Sequence, residues 1–489
     1  MESSRNKLLD LPTELLDLVF QRLDFRSLLR CTQVCHRMHY ILEGSALLQY
    51  QTKLASTGKS DNRCCSWSTA VRLKKLEVYQ EAWDNLRWSN NVLSFPVSNV
   101  SLWELVGGVL ALYNVTQHSF RFIQLPSVHR GVDHREWQFN LDIDIGRGDF
   151  TIDPSTDLMV IVNRVSADNA VSAVFKIYFL SLTTGRPHTK ARSSEIQIEI
   201  PQLAESWYHE IKVFDNHLAV LFTTDFGVTE LVVCSWNTGK VLKRLKNVMS
   251  FAFLTSTLIV LNDIVGRSDI ALEIIDVYDE PVSCCLHLPE PALGIADFEM
   301  VTESPQASII QQSNVPFTAS VEDRLLVINY RLEDSRSRER NHAIFVPVSV
   351  LLNHYRRSQP KQPIPWTEWG PNGTRILPVS FSGIWVCYVH GMRASVYEPA
   401  KKVFQIFDFS QLGLAYDIIK GEKRPQTQYL TGRTVLLESV FTERTLSCLP
   451  VRISTGTFPL ESVEAVMLTE DALLAATVSL FTDLFCPGL

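Results

Sequence analysis

Residues 9–43 read LDLPTELLDLVFQRLDFRSLLRCTQVCHRMHYILE, and this stretch decides how the N-terminal part of the chain is interpreted. Pro12 suits the first position of a helix, because its missing N–H has no partner to lose there. Asp10 and Glu14 place negative charge at the positive end of the same helix. The apolar residues that follow recur three and four positions apart and predict one broad apolar face: Leu15, Leu16, Val19, Phe20 and Leu23.

Two further short helices are predicted after the first. Asp24 is a candidate N-cap for the second helix. The apolar residues of the second and third helices are Leu28, Leu29, Val34, Cys35, Met38, Ile41 and Leu42. Three helices in about 35 residues cannot enclose a self-sufficient core. We therefore expect a partner, or the rest of the chain, to cover the remaining apolar surface.

This stretch resembles an F-box, the helical module that attaches a target-recognition protein to the Skp-type adaptor of a cullin–RING ubiquitin ligase. The resemblance rests on Leu11-Pro12, on the run Leu28-Leu29-Arg30-Cys31 and on the N-terminal position. The alternative is an ordinary helical cap packed on a larger domain. The resemblance implies a set of residues that contact the adaptor or support the contact: Leu11, Pro12, Leu15, Leu16, Val19, Phe20, Leu23, Leu28, Leu29, Val34 and Cys35.

A second helix-rich segment lies between this stretch and the rest of the chain. Residues 44–58 predict a short helix, and residues 68–88 predict an amphipathic helix with Ser68 as its cap. Glu-Ala-Trp-x-Asn-Leu-x-Trp in the latter resembles a large F-box family of mushroom-forming (basidiomycete) fungi. The alternative is a generic amphipathic helix. In both interpretations we expect Trp83 and Trp88 to pack on the domain that follows.

From residue 90 the periodicity becomes strand-like. Pairs of apolar strands separated by polar turns lie within residues 109–125, 158–182, 218–236, 258–278, 325–348, 384–409 and 435–451. Two of the pairs end in Thr-Gly turns, at Gly185 and Gly239, which resemble the last turn of a WD-type blade. We therefore predict a β-propeller of about seven blades, with a large β-sandwich as the alternative.

Length and composition fit a multi-domain protein with an α part and an all-β part. The chain has 489 residues, and we expect three segments: 1–58 with the F-box and a short helix, 59–89 as a linker helix, and 90–489 as the propeller. A net charge of −7 leaves no basic stripe for nucleic acid. The start of the chain has no apolar signal region, and apolar runs such as 251–261 are too short to span a bilayer. We expect a cytoplasmic or nuclear protein.

Signatures of catalysis and of cofactor binding are missing from the sequence. It has no Walker-type loop, no Gly-x-Ser-x-Gly elbow, no His-Glu-x-x-His and no dinucleotide fingerprint. Cys31 and His39 would be about 12 Å apart on one helix, too far for a shared zinc ion. The pair Asp142 and Asp144 is expected to be a solvated face. We therefore predict a non-catalytic protein without cofactor or metal.

The resulting functional hypothesis is a substrate-recognition subunit of a Skp–cullin–F-box ubiquitin ligase. Its expected partners are the Skp-type adaptor, through it the cullin, and a target protein. Two rivals remain: an F-box scaffold that acts outside the ligase, and a propeller enzyme or lectin-like binder with an incidental helical N-terminus. Trp366 and Trp369 could anchor a ligand, but Pro-Trp-x-x-Trp-Gly-Pro also resembles a recurring element of the same fungal F-box family, and this resemblance implies a structural clamp.

Overall fold

In the computed structural model of the chain, a group of helices precedes a series of antiparallel sheets. The structure describes residues 8–87, 100–143, 145, 148–165, 172–201, 204, 206–265, 269–279, 284–303, 314–333, 339–357, 362–379, 381, 387–421, 424, 426–436, 440–458, 463–477 and 483–485.

Four helices form the N-terminal module: α1 (Thr13–Phe20), α2 (Phe25–Thr32), α3 (His36–Gly44) and α4 (Ala46–Thr57). Asp24 caps α2 as predicted, since its side chain accepts a hydrogen bond from Ser27 N at 3.1 Å. Pro12 is the N-cap of α1 and not its first residue, one position earlier than expected. Its carbonyl oxygen accepts the first hydrogen bonds of that helix, from Leu15 N and Leu16 N at 3.1 Å each.

The module has a small apolar core. Its buried side chains are Leu16, Phe20, Leu28, Met38, Ile41, Leu42 and Leu48. Leu48 belongs to α4, so the three predicted helices are closed by a fourth one. We expect a partner, or the rest of the chain, to cover the apolar surface that the three helices leave open. Helix α4 covers part of that surface through Leu48.

A strand and a long helix connect the module to the sheets: β1 (Lys59–Asp61) and α5 (Thr69–Asp84). Ser68 caps α5 as predicted, accepting from Val71 N at 3.5 Å. Leu76, Tyr79 and Trp83 are buried on one face of α5 and pack on the sheets, as expected for Trp83. Trp88 lies outside the described residues.

Four sheets of four strands follow in chain order, each an antiparallel meander. The first has β2 (Leu102–Val106), β3 (Val109–Asn114), β4 (Ser119–Gln124) and β5 (Arg135–Asn140). The second has β6 (Asp149–Asp153), β7 (Leu158–Val165), β8 (Ala173–Ser181) and β9 (Glu195–Ile200). The third has β10 (Trp207–Phe214), β11 (His217–Thr224), β12 (Thr229–Ser235) and β13 (Lys240–Lys246). The fourth has β14 (Phe251–Phe253), β15 (Leu258–Val265), β16 (Asp269–Asp276) and β17 (Cys284–His287).

The next two sheets contain insertions. The fifth has β18 (Gly294–Thr302), β20 (Leu325–Glu333), β21 (Glu339–Pro347) and β22 (Arg375–Leu377), while β19 (Phe317–Ala319) leaves it and pairs with β1. Two helices, α6 (Val348–Arg357) and α7 (Trp366–Gly373), precede β22, so the predicted loop 357–373 contains a helix. The sixth has five strands: β23 (Val389–His390), β24 (Arg393–Glu398), β25 (Val403–Asp408), β26 (Thr427–Leu430) and β29 (Val451–Thr457). The remaining elements are α8 (Gln411–Lys420), β27 (Thr434–Leu436), β28 (Thr445–Ser447), β30 (Val463–Leu468), β31 (Leu473–Thr477) and β32 (Asp483–Phe485).

Among the described residues six sheets have four or five strands, and these are the blades of a β-propeller. The prediction of about seven blades is therefore wrong in number. Its seventh unit, 435–451, does not form a blade: β27 and β28 make a two-stranded hairpin, and β29 pairs with β25 in the sixth blade. The three-stranded sheet β30–β32 lies beside β23 and β24. The β-sandwich alternative is excluded by this arrangement.

Apolar clusters lie between neighbouring blades, as between the second and third, where Phe175 and Phe222 are in contact. The two predicted Thr-Gly turns are confirmed, because Gly185 and Gly239 have φ values of +68° and +73°. Trp369 is buried and donates from Nε1 to the carbonyl of His287 at 2.9 Å, and Trp366 packs edge-on against it. The structural interpretation of these tryptophans is therefore confirmed.

The packing of α5 on the propeller is testable by substitution. Leu76 has no exposed surface, so we expect Leu76→Ala to lower the free energy of unfolding by about 2–5 kcal/mol. Val71 lies on the same helix and is 45% exposed, so Val71→Ala should change it by less than about 0.5 kcal/mol. Urea denaturation followed by circular dichroism measures both. Equal stability of the two variants would show that α5 is a tether and not a packed element.

Candidate functional site

The N-terminal module exposes apolar side chains along α1. Leu15 and Leu18 are 46% and 57% exposed, and Val19 lies one residue further on the same face. Val34, between α2 and α3, is 65% exposed. Large apolar side chains with this much exposure on a small module are a common mark of a protein-binding surface. We call Leu15, Leu18, Val19 and Val34 the docking face.

The predicted adaptor-binding residues fall into three groups. Pro12, Leu15, Val19 and Val34 are exposed. Leu11, Leu23, Leu29 and Cys35 are partly buried, and all of these except Leu29 pack against the core of the module. Leu16, Phe20 and Leu28 are fully inside that core. The structure thus places the exposed group on the surface, with the other two groups beneath or beside it.

Two features of this surface were missed by the sequence reasoning. Leu18 and Tyr40 are strongly exposed, although the apolar pattern did not single them out. Arg37 holds the start of the module in place, because its guanidinium donates to the carbonyl oxygens of Leu9 and Leu11. The segment that contains Leu11-Pro12 is therefore positioned by α3. A long-range contact of this kind leaves no periodic signal in the sequence.

A buried polar cluster joins the linker segment to the propeller. We call the five residues Lys59, Tyr79, Glu303, His390 and Glu470 the seam cluster. Glu470 forms an ion pair with Lys59, and its carbonyl oxygen accepts a hydrogen bond from Tyr79 Oη at 2.5 Å. His390 bridges Glu303, at 2.9 Å from Nδ1, and Glu470, at 2.8 Å from Nε2.

The charges of the seam cluster depend on one another. Burial favours neutral imidazole, but Glu303 and Glu470 outweigh it and raise the pKa of His390 to about 9. Burial would raise the pKa of Glu470, but Lys59 and His390 hold it well below its usual range. The cluster therefore keeps its charges only while its members stay together, which ties the linker segment to the blades that carry Glu303 and His390.

A second charged cluster holds the C-terminal end of α5. Arg452 contacts three carboxylates, those of Asp84 at 3.1 Å, Asp408 at 2.5 Å and Asp417 at 2.8 Å. Arg424 pairs with Asp84 and with Asp417. Burial works against ionisation of Asp408, but Arg452 and Arg393 hold its pKa at about 2. Because breaking one partner of a buried pair leaves an uncompensated charge, this arrangement fixes the orientation of α5 on the sixth blade.

The propeller encloses a central channel of about 530 Å³ between its first strands. Residues of β2, β6, β10, β18 and β23 line it, and Glu303, His390 and Glu470 of the seam cluster lie at the end nearest the helices. Within the described ranges no three His, Cys, Asp or Glu side chains come close enough together to hold a metal ion, and Asp144 lies outside those ranges. No helix in the described part of the chain is long and apolar enough to cross a bilayer.

Fold and site together define a two-part protein, in which a helical module with an exposed apolar surface precedes a β-propeller. Residues 8–49 match the F-box-like family, so the module is an F-box-like domain. An F-box-like domain with a propeller is an architecture typical of non-enzymatic adaptors. No curated protein sequence matches the chain.

Solved structures with similar folds have low sequence identity. BamB from Moraxella catarrhalis is 8% identical with a TM-score of 0.33, over 80% of this chain and 98% of that one. The WD40 domain of SCAP from fission yeast is 8% identical with a TM-score of 0.33, over 79% and 82%. Hsv2p from Kluyveromyces lactis is 11% identical with a TM-score of 0.33, over 74% and 100%. The propeller assignment rests on the six sheets of the structure itself.

The seam cluster predicts a pH dependence of stability. The pKa of His390 is raised in the folded chain to about 9 from 6.5, so its stabilising effect is fully present below pH 6.5 and is lost as the pH rises through 9. We expect His390→Gln to lower the free energy of unfolding by on the order of 3 kcal/mol at pH 6 and by much less at pH 9. Urea denaturation at pH 6, 7.5 and 9 measures this, with His36→Gln on the exposed side of α3 as the control. A loss that is the same at all three pH values would contradict the assigned charge state.

Proposed function

We propose that this protein is the substrate-recognition subunit of a Skp–cullin–F-box ubiquitin ligase. The observation that carries the proposal is the exposed docking face on an F-box-like domain that is fixed to a propeller. F-box domains generally bind Skp-type adaptors, and a propeller offers a large surface for a target protein. No nucleic acid, membrane or cofactor is required by this function.

In this proposal the residues of the module have two roles. The exposed residues Pro12, Leu15, Leu18, Val19 and Val34 contact the adaptor directly, and the partly buried Leu11, Leu23, Leu29 and Cys35 complete the surface. Leu16, Phe20 and Leu28 support it from within the core. Burial of each apolar side chain in the interface would stabilise the complex by about 1.5–3 kcal/mol relative to leaving it exposed.

The mechanism is proximity and needs no catalytic group from this chain. The adaptor and cullin hold a ubiquitin-conjugating enzyme, while the propeller holds the target, so the effective concentration of a target lysine at that enzyme rises. This works only if the distance between docking face and propeller is kept. The seam cluster and the Arg452 cluster supply that constraint, because they attach the linker segment to the fifth and sixth blades and to the β30–β31 turn.

Three further assignments stay proposals of the same kind. The division into residues 1–58, 59–89 and 90–489 is one, and a cytoplasmic or nuclear location is another. Membership of the basidiomycete F-box family is the third, and it rests on the resemblance of residues 68–88 and of the Trp-Gly-Pro segment. Two alternatives from the sequence analysis are a scaffold outside the ligase and a propeller enzyme or lectin-like binder. For both, the cullin should not co-purify with the chain, whereas it should co-purify with a ligase subunit.

The docking face is testable without disturbing the fold. We expect the combined substitutions Leu15→Ala, Leu18→Ala and Val19→Ala to weaken binding of the purified Skp-type adaptor by about 100-fold or more, since each tenfold needs about 1.4 kcal/mol. Isothermal titration calorimetry measures this, and an unchanged melting temperature shows that the variant is folded. A variant with Leu28→Ala is a poorer test, because Leu28 is only 2% exposed and its loss would damage the core.

A matched control removes exposed apolar side chains elsewhere. Tyr208→Ala with Phe226→Ala changes two strongly exposed residues of the third blade and should leave adaptor binding within about twofold. Adaptor binding by the α1 variant at full strength would contradict the assignment of the docking face. Recovery of the adaptor without the cullin, in a purification from cells, would favour the scaffold outside the ligase.

A further inference from the structure

The propeller has one face that the helices leave uncovered. Strand β18 ends next to Glu303 and strand β23 ends at His390, and both residues belong to the seam cluster, so these two strands run toward the linker helices. Strand β10 is likewise the first strand of its blade and runs the same way. The beginnings of these strands, together with the β11–β12 turn, therefore form the opposite face. We call this the open face.

Exposed apolar side chains lie on the open face, and one of them, Tyr208, also lines the channel. They lie in the second to fifth blades, at the ends of strands or in the turns there: Val165, Tyr208, Phe226, Val228, Met249 and Ile295. Tyr208 and Phe226 are 66% and 75% exposed. Tyr208 pairs with Thr223, which lies just before the turn that carries Phe226. Aromatic residues exposed to this degree are typical anchors of a protein interface.

The channel of the propeller carries more acidic than basic side chains on the side of the open face. Glu104, Asp149, Glu210 and Glu299 line it, and Lys212 is the cation among them. Lys212 already pairs with Glu210 at 2.5 Å and donates to the carbonyl of Phe251 at 2.6 Å. Within the described residues no ion pair joins Glu104, Asp149 or Glu299 to a cation. At the other end of the channel the charges balance, because Glu303, Glu470 and Asp471 face His390, Lys59 and Arg130.

The unpaired carboxylates are held at an electrostatic cost. Burial, with Asp149 nearby, raises the pKa of Glu104 to about 8, and burial raises that of Asp149 to about 6. Burial also raises the pKa of Glu299. A cation placed among them would restore their charged forms, so the channel is complementary to positive charge.

The walls of the channel suit a long side chain with a cationic end. Trp103 and Trp207 are partly exposed aromatic side chains among the carboxylates, while Phe253 and Met300 are buried in the blades behind them. Lysine and arginine cover such surface with their aliphatic stems and can place their charge over a tryptophan ring.

We propose that the open face binds a segment of the target protein in which a lysine or arginine is flanked by apolar side chains. The cationic side chain enters the channel toward Glu104 and Glu299, and the apolar neighbours pack on Tyr208 and Phe226. The inference rests on the proposed function, because it names the target chemistry of that receptor. It also excludes a phosphorylated segment in the channel, since phosphate would meet three unpaired carboxylates.

The test uses the full-length chain and degenerate peptide pools that share one fixed central residue. The fixed residue is arginine, lysine, citrulline, norleucine, glutamate or phosphoserine, and all other positions are random. Citrulline has the shape of arginine without its charge. We expect the arginine and lysine pools to be retained on immobilised protein at least tenfold more than the citrulline, glutamate and phosphoserine pools.

Matched variants assign the effect to the channel. Glu104→Gln with Glu299→Gln should abolish the preference for arginine over citrulline, and glutamine should be tolerated because it imitates the neutral acid. Glu322→Gln with Glu443→Gln removes the same charge from exposed positions outside the channel and should keep the preference. Tyr208→Ala with Phe226→Ala should lower retention of the arginine pool severalfold.

Three results would overturn the inference: equal retention of the arginine and citrulline pools, a preference for phosphoserine, or no retention of any pool. Adaptor binding is measured on the same protein preparation. If the adaptor binds and the arginine preference is absent, this inference alone is wrong. If the preference is present and the adaptor does not bind, the open face still binds cationic segments and the ligase function is wrong.

Discussion

The attachment of the linker segment to the propeller through Glu470 is the constraint on which the rest of the structure depends. Its carboxylate and carbonyl meet a lysine from β1, a tyrosine from α5 and a histidine from β23, and β23 is far from the other two elements in sequence. Buried ion pairs of this kind contribute little net stability compared with apolar packing, but they penalise every arrangement in which one partner is missing. The cluster therefore selects one orientation of the docking module over others that the apolar contacts alone would tolerate.

The sequence revealed the centre of each blade far better than its edges. Predicted strand pairs coincide with β3 and β4, β7 and β8, or β11 and β12, which are largely apolar because both faces of the sheet are covered. In outer strands such as β5 and β13, exposed charged residues interrupt the apolar ones, so these strands left no apolar run in the sequence. The blade number was wrong because β29 joins the sixth sheet beside β25, although α8, β26 and the hairpin of β27 and β28 separate the two strands in the chain.

The docking face could be predicted from the sequence much better than the seam cluster or the channel. Helix spacing located Leu15 and Val19, because a local periodic pattern determines which side chains share a face. The same pattern placed Leu16, Phe20 and Leu28 in the set without distinguishing core from surface. Neither the seam cluster nor the charge excess in the channel could be read from the sequence, since each combines residues from several blades. Tertiary contacts alone bring such groups together.

Helix α4 has a consequence for when the protein becomes able to act. Leu48 completes the core of the F-box-like domain, while Tyr50 and Leu54 on the same helix pack with α5 and the sheets. Tyr50 also donates to the carbonyl of Pro316, beside the strand that pairs with β1. We expect α4 to become ordered only when the blades have assembled, so that its amide protons gain protection from exchange late in refolding. A chain with an incomplete propeller would then lack part of its helical core, and in the proposed function only chains with a complete propeller would compete for the adaptor.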